Sequence, residues 1–151
     1  MSQGQSNTPF TVRVHQRVAS RTEELHRVRQ IVEREAMEFG FDQETAFRLA
    51  LAVDEACTNI IKHAYEGNPA RSFDLEIVTA DDQFRIVLTD EGKGFSPTKL
   101  PRLDMKRYFE RMCRGGLGVH IIKLVMDDVD YDMAANKYNR LSMTKYRAAN
   151  A

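Results

Sequence analysis

From Glu91 to Gly118 the chain follows neither the period of a helix nor the alternation of a strand, while nearly every segment on either side follows one or the other. A stretch of that length inside an otherwise periodic chain is a functional loop rather than a connection. It is read as a lid, so the fold must hold one long loop between a strand and a helix.

The flanking segments define what holds it. Phe10, Val12 and Val14 alternate with polar residues, as in a half-buried strand. Ser20 with Glu23 forms a capping-box pattern, followed at helical spacing by Leu25, Val28, Ile31, Val32, Glu35 and Phe39, with Gly40 as the stop. Asp42 is placed to cap a second helix that runs to about Tyr65 and ends at Glu66-Gly67-Asn68-Pro69. Phe73 to Thr79 and Phe84 to Thr89 alternate around Ala80-Asp81-Asp82, a hairpin pattern. Beyond the lid, Leu117 to Met126 returns to a helix, and Val129 to Met133 and Tyr138 to Tyr146 read as closing strands. The expected fold is α+β: a two-layer sandwich with helices on one face of a mixed, mostly antiparallel sheet. One domain is expected over residues 10–147, after a flexible polar leader at 1–9.

Composition narrows the function classes. With 151 residues the chain can bury a core without disulfide or metal staples, and a second catalytic domain does not fit. Lys plus Arg equals Asp plus Glu at 22 each, so no net field draws the protein to nucleic acid. Cys57 and Cys113 have no partner at zinc-like spacing and are read as reduced thiols. The first residues lack a signal peptide's pattern, and no apolar run approaches the roughly 18 residues that span a bilayer. No membrane association is expected, and the location is read as cytoplasmic.

Three motifs carry chemistry. In Val53-Asp54-Glu55-Ala56-Cys57-Thr58-Asn59-Ile60-Ile61-Lys62-His63-Ala64-Tyr65, a turn of about 100° per residue puts Glu55, Asn59, Lys62 and His63 on one stripe and Leu49, Val53, Ala56 and Ile60 on another. Taken alone, the polar stripe is more simply a solvated face. Leu88-Thr89-Asp90-Glu91-Gly92-Lys93-Gly94-Phe95 sets an acid at a strand end with glycines beyond it. A carboxylate there can accept from the exocyclic amine of adenine, and residues without Cβ let backbone approach a flat base; the simpler reading is a glycine-rich turn. Arg114-Gly115-Gly116-Leu117-Gly118-Val119 opens an apolar helix, where bare backbone N–H groups and the helix dipole favour phosphate; the simpler reading is a hinge.

The three occur in one order, on a helix, after a strand and before a helix, and so resemble the N box and two glycine boxes of the GHKL ATPase superfamily, whose domain is the Bergerat fold. Within it, residues 10–147 resemble the anti-sigma serine kinases of bacterial partner switches. That resemblance implies ATP and Mg²⁺ as cofactors, Glu55 as catalytic base, Asn59 as the Mg²⁺ ligand, Asp90 as the adenine reader, Gly92 and Gly94 beside the base, and Gly116 and Gly118 at the phosphates. Gly115 and Leu117 share that glycine box, Arg114 is assigned to phosphate, and Lys62 and His63 border the nucleotide. It also implies a serine or threonine acceptor on an anti-anti-sigma factor of STAS fold, a sigma factor as second partner, and a homodimer. One departure is visible: the family's Gly-x-Thr near the last strand is here Tyr138-Asn139-Arg140. Two rival readings are a nucleotide-binding module that sequesters a partner without phosphoryl transfer, and a histidine-kinase catalytic domain. The latter is disfavoured because His26 lacks an acceptor-box context.

Overall fold

The computed structural model describes residues 9–92, 118–134 and 138–148. Among these residues five strands form one sheet: β1 (Thr11–Ala19), β2 (Ser72–Ala80), β3 (Gln83–Asp90), β4 (Asp128–Ala134) and β5 (Tyr138–Tyr146), in the order β1-β2-β3-β5-β4. All four pairings are antiparallel, so the sheet is the antiparallel form of the expected architecture. Among the described residues three α-helices accompany it: α1 (Leu25–Phe39), α2 (Gln43–Asn59) and α3 (Gly118–Val125). Among the described residues no helix is long and apolar enough to cross a membrane.

Alternation decides the two faces of the sheet. Phe73, Leu75 and Ile77 on β2 share a core with Phe84, Ile86 and Leu88 on β3 and Leu141 and Met143 on β5. Leu25, Val28, Val32 and Ala36 of α1, Leu49, Val53 and Ala56 of α2, and Ile122 of α3 close the same core. The hairpin turn works as expected, with Asp81 at φ 45°, a left-handed position that Asp tolerates better than most residues.

Helix boundaries follow local chemistry in two cases and depart from it in a third. Gly40 ends α1 at φ 120°, its N–H donating to the carbonyls of Ala36 and Met37, and Asp42 caps α2 by accepting from the Thr45 amide at 2.8 Å. The capping box expected at Ser20 and Glu23 does not form. Ser20 is committed to the sheet edge, its amide donating to the Arg71 carbonyl at 2.9 Å, and its hydroxyl is buried without a partner among the described residues. A short 3-10 turn, Thr22–Glu24, intervenes, and no side chain among the described residues caps α1.

The first strand also departs from simple alternation. A bulge between Val12 and Val14 shifts the register, so Val14 lies opposite Ile77 while Val12 lies opposite Val78. An extra residue reverses which side follows. Val14 therefore packs on the core, whereas Val12 is exposed and Phe10 lies under the Arg85 guanidinium, 4.4 Å from ring centroid to Cζ. Cys57 is fully buried on α2, and burial pushes its thiol well above the ordinary range, as expected of a reduced packing residue. Cys113 and the leader at 1–8 lie outside the described residues.

Phe39, Phe41 and Phe84 form an aromatic trio with centroids 5.4 to 5.7 Å apart, joining the end of α1 to β3. Replacing fully buried Phe84 by alanine is expected to cost about 3–5 kcal/mol, read as a lower midpoint in urea denaturation with little change in slope.

Candidate functional site

The inward phase of β3 runs Phe84, Ile86, Leu88 and then Asp90, so the strand's core face ends in a carboxylate. On β5 the inward phase of Leu141 and Met143, carried back one step, arrives at Asn139. Register sets Asp90 directly opposite Asn139. They are 5% and 6% exposed, two polar side chains at positions where alternation calls for apolar ones.

Such burial is tolerable only with hydrogen-bond partners. Asn139 Nδ2 donates to Asp90 Oδ1 at 2.9 Å and to the Gly92 carbonyl at 3.3 Å. Both partners are acceptors, so the orientation of the amide is dictated by chemistry. The Gly92 amide also donates to Asp90 Oδ1, at 2.9 Å. Burial raises the Asp90 carboxyl above its ordinary value, while the bonds from Asn139 and Gly92 pull the other way.

The corner is braced from the helical side. α2 continues into a π turn, Ile60–Ala64, in which the Tyr65 amide donates to the Ile60 carbonyl at 2.9 Å. A Cβ on Gly92 would stand 2.5 Å from the Ala64 carbonyl oxygen, so only glycine fits. The Tyr65 hydroxyl accepts from the Glu91 amide at 2.8 Å and donates to the Ser72 carbonyl at 2.7 Å. Arg71 donates to the Glu91 carbonyl at 3.1 Å and lies 4.6 Å over the Tyr65 ring. Asp90 to Gly92 is thus held by β5 on one side and by the end of α2 on the other.

Glu55 and Asn59 are half-buried on α2. Neighbouring Asp54 accepts from Arg29 of α1 at 2.6 Å, which anchors this stretch of α2 to its neighbour. Asn59 Nδ2 is buried with no partner among the described residues. The side chain as a whole keeps partial access, and its amide oxygen is the kind of ligand taken by a hard cation that keeps its waters. The residue present fits Mg²⁺.

Lys62 and His63 fall in the π turn and are exposed. The single polar stripe assumed an unbroken α-helical phase, which holds only to Asn59; the wider turn puts Lys62 and His63 at a different angle. Gly94, Arg114, Gly115, Gly116 and Leu117 lie outside the described residues, and Gly118 is the first residue of α3. A separate cavity of about 350 Å³ is lined by Thr45, Arg48, Leu51, Ile121, Leu124, Val125 and Lys145, none of them singled out by the motifs.

Sequence reasoning gave no role to Tyr65, Arg71 or the Arg29–Asp54 pair, and met Asn139 only within the departure at Tyr138-Asn139-Arg140. For Asn139 a signal existed: a polar residue in phase with Leu141 and Met143. For Arg71 and Arg29 none did, because their partners are distant in sequence.

A family model described as the histidine kinase-like ATPase domain matches residues 18–145. The serine-protein kinase RsbW of Halalkalibacterium halodurans is 31% identical over 147 residues, covering 89% of this chain and 87% of that protein. RsbW of Bacillus pumilus is 30% identical over 118 residues, covering 74% of this chain and 71% of its own length. A solved chain from the SiaB-SiaC complex of Pseudomonas aeruginosa superposes with a TM-score of 0.62 at 10% identity, covering 88% and 89% of the two chains. At that identity the likeness is one of fold.

Two outcomes follow from the geometry. Gly92→Ala is expected to cost about 1–3 kcal/mol by forcing the loop off the Ala64 carbonyl, measurable by urea denaturation. Because the folded pKa of Asp90 is raised, its contribution to stability is present below the unfolded pKa and lost as pH rises through the folded one. Wild type should therefore gain stability relative to Asp90→Asn as pH falls from neutral through the carboxylate range; a constant difference would contradict a burial-dominated shift.

Proposed function

Because the chain belongs to the histidine kinase-like ATPase family, in its serine-protein kinase branch, we propose that it binds ATP and transfers the γ-phosphate to a serine or threonine of a partner protein. The observation that carries this reading is the buried Asp90 held by Asn139 and Gly92 at the mouth of a glycine corner. A carboxylate fixed in that way is suited to accept from the exocyclic amine of adenine, and the bare Gly92 backbone suits the face of the base.

In this reading residues 10–147 form one ATP-binding domain. Glu55 takes the proton of the acceptor hydroxyl as its oxygen forms a bond to the γ-phosphorus, while the bond from that phosphorus to the β-γ bridging oxygen breaks and ADP leaves. Asn59 would hold Mg²⁺, which when bound would supply neutralisation of phosphate charge. Gly94, Gly115, Gly116 and Gly118, with Leu117, offer backbone around the nucleotide, Arg114 meets phosphate, and Lys62 and His63 border the site from the π turn. Phosphoryl transfer asks mainly for alignment and charge neutralisation, and these groups are of the kind that supply both.

The acceptor we assign is an anti-anti-sigma factor of STAS fold. Unphosphorylated, it competes with a sigma factor for this chain; phosphorylated, it is released, and the protein acts as an anti-sigma factor. We further assign a homodimer working in the cytoplasm. The relatives named as serine-protein kinases support the enzymatic part of this reading.

Incubation with Mg²⁺, radiolabelled ATP and the STAS-domain proteins of the same genome tests it. One candidate should be labelled on serine or threonine, and Glu55→Ala should lose about 10²–10⁴-fold in transfer rate while retaining ATP binding. Tight ATP binding with no candidate labelled would replace the kinase by a nucleotide-dependent binding module.

A further inference from the structure

Asp90 Oδ1 receives two donors, Asn139 Nδ2 and the Gly92 amide, each at 2.9 Å. A carboxylate oxygen has two lone pairs, so these donors fill it and leave Oδ2 as the oxygen a ligand meets. Of the three residues that open β5, Asn139 alone turns into the core. Tyr138 is half-buried, and exposed Arg140 lies 4.6 Å over the Tyr138 ring. The same Asn139 nitrogen reaches the Gly92 carbonyl at 3.3 Å, so one side chain fixes both the carboxylate and the loop that follows it.

The consequence depends on which base approaches. Adenine offers one exocyclic amine beside a ring nitrogen that only accepts, and a single free carboxylate oxygen satisfies it. Guanine has a carbonyl where adenine has its amine, and its two adjacent donors, the ring N–H and the 2-amine, pair with both oxygens of an unencumbered carboxylate. With Oδ1 filled, one of those donors would be buried unpaired, which a desolvated site penalises.

We propose that Asn139 is a specificity-determining positioning residue: by occupying Asp90 Oδ1 it makes the carboxylate a one-oxygen reader that accepts the amine of adenine and refuses the paired donors of guanine. The assignment rests on the reading that Asp90 meets the base. It requires a side-chain donor at position 139 rather than asparagine as such, so a hydroxyl there serves in the same way.

Calorimetric titration of Mg-ATP and Mg-GTP into wild type, Asn139→Ala, Asn139→Thr and Asp90→Asn tests it. Asn139→Ala is expected to lose about tenfold or more of the ATP-over-GTP preference, and Asn139→Thr, which keeps a donor, to retain most of it. The preference is a ratio within one protein, so a fraction of unfolded variant scales both affinities alike. If Asn139→Ala fails to fold, Asn139→Leu, similar in shape and also without a donor, carries the same expectation. Weakened ATP binding in Asp90→Asn together with an unchanged ratio in Asn139→Ala overturns the role of Asn139 alone. Unchanged ATP binding in Asp90→Asn overturns the base-reading role of Asp90, and the proposal falls with it.

Discussion

A carboxylate buried to 5% exposure at the end of a core strand is the constraint on which the site depends. Left alone, Asp90 would cost several kcal/mol to desolvate as a charge. Its position is tolerable because β5 supplies Asn139 at the register point opposite and the following turn supplies the Gly92 amide. Those bonds fix where the chain leaves the sheet. The exit path then runs so close to the Ala64 carbonyl that residue 92 has no room for a side chain. Sheet register, loop path and helix end are thus consequences of satisfying one acid.

Helix α2 gives the site its second half and the fold its centre. Leu49, Val53 and Ala56 are buried against the sheet layer, while Glu55 and Asn59 keep partial access on the same helix. The Arg29–Asp54 bridge links α2 to α1 next to Glu55. With its acid 22% exposed, the bridge contributes more by fixing geometry than by net stability. The π turn after Asn59 passes the chain to Tyr65, whose hydroxyl joins Ser72 and Glu91. Packing and chemistry draw on the same few residues, so changes at Gly92 or Tyr65 reach both.

Much of this was legible in the residues themselves. Elements whose signal is local matched well: the Gly40 stop, the Asp42 cap, the hairpin around Asp81 and the alternation of β2, β3 and β5 each rest on neighbours in sequence. The errors came where a non-local partner won. Ser20 was taken by the sheet edge rather than by a helix cap, and the bulge at Val12/Val14 turned Phe10 and Val12 outward. The π turn broke a stripe that had been extended on α-helical phase. Among candidate site residues, Glu55, Asn59, Asp90 and Gly92 stand on the elements expected of them. Asn139 stood out only as part of the departure at Tyr138-Asn139-Arg140: its phase with Leu141 and Met143 marks it as inward, but its partner Asp90 comes from strand register across the sheet, which spacing along the chain does not encode.

The most direct test of the central claim is a crystal structure of the protein with Mg²⁺ and a non-hydrolysable ATP analogue. The adenine amine should lie within hydrogen-bond distance of Asp90 Oδ2, the base against Gly92, and Asn59 Oδ1 on the metal. A nucleotide lodged elsewhere, for example in the cavity between Leu51 and Leu124, with Asp90 meeting no part of the base, would contradict it.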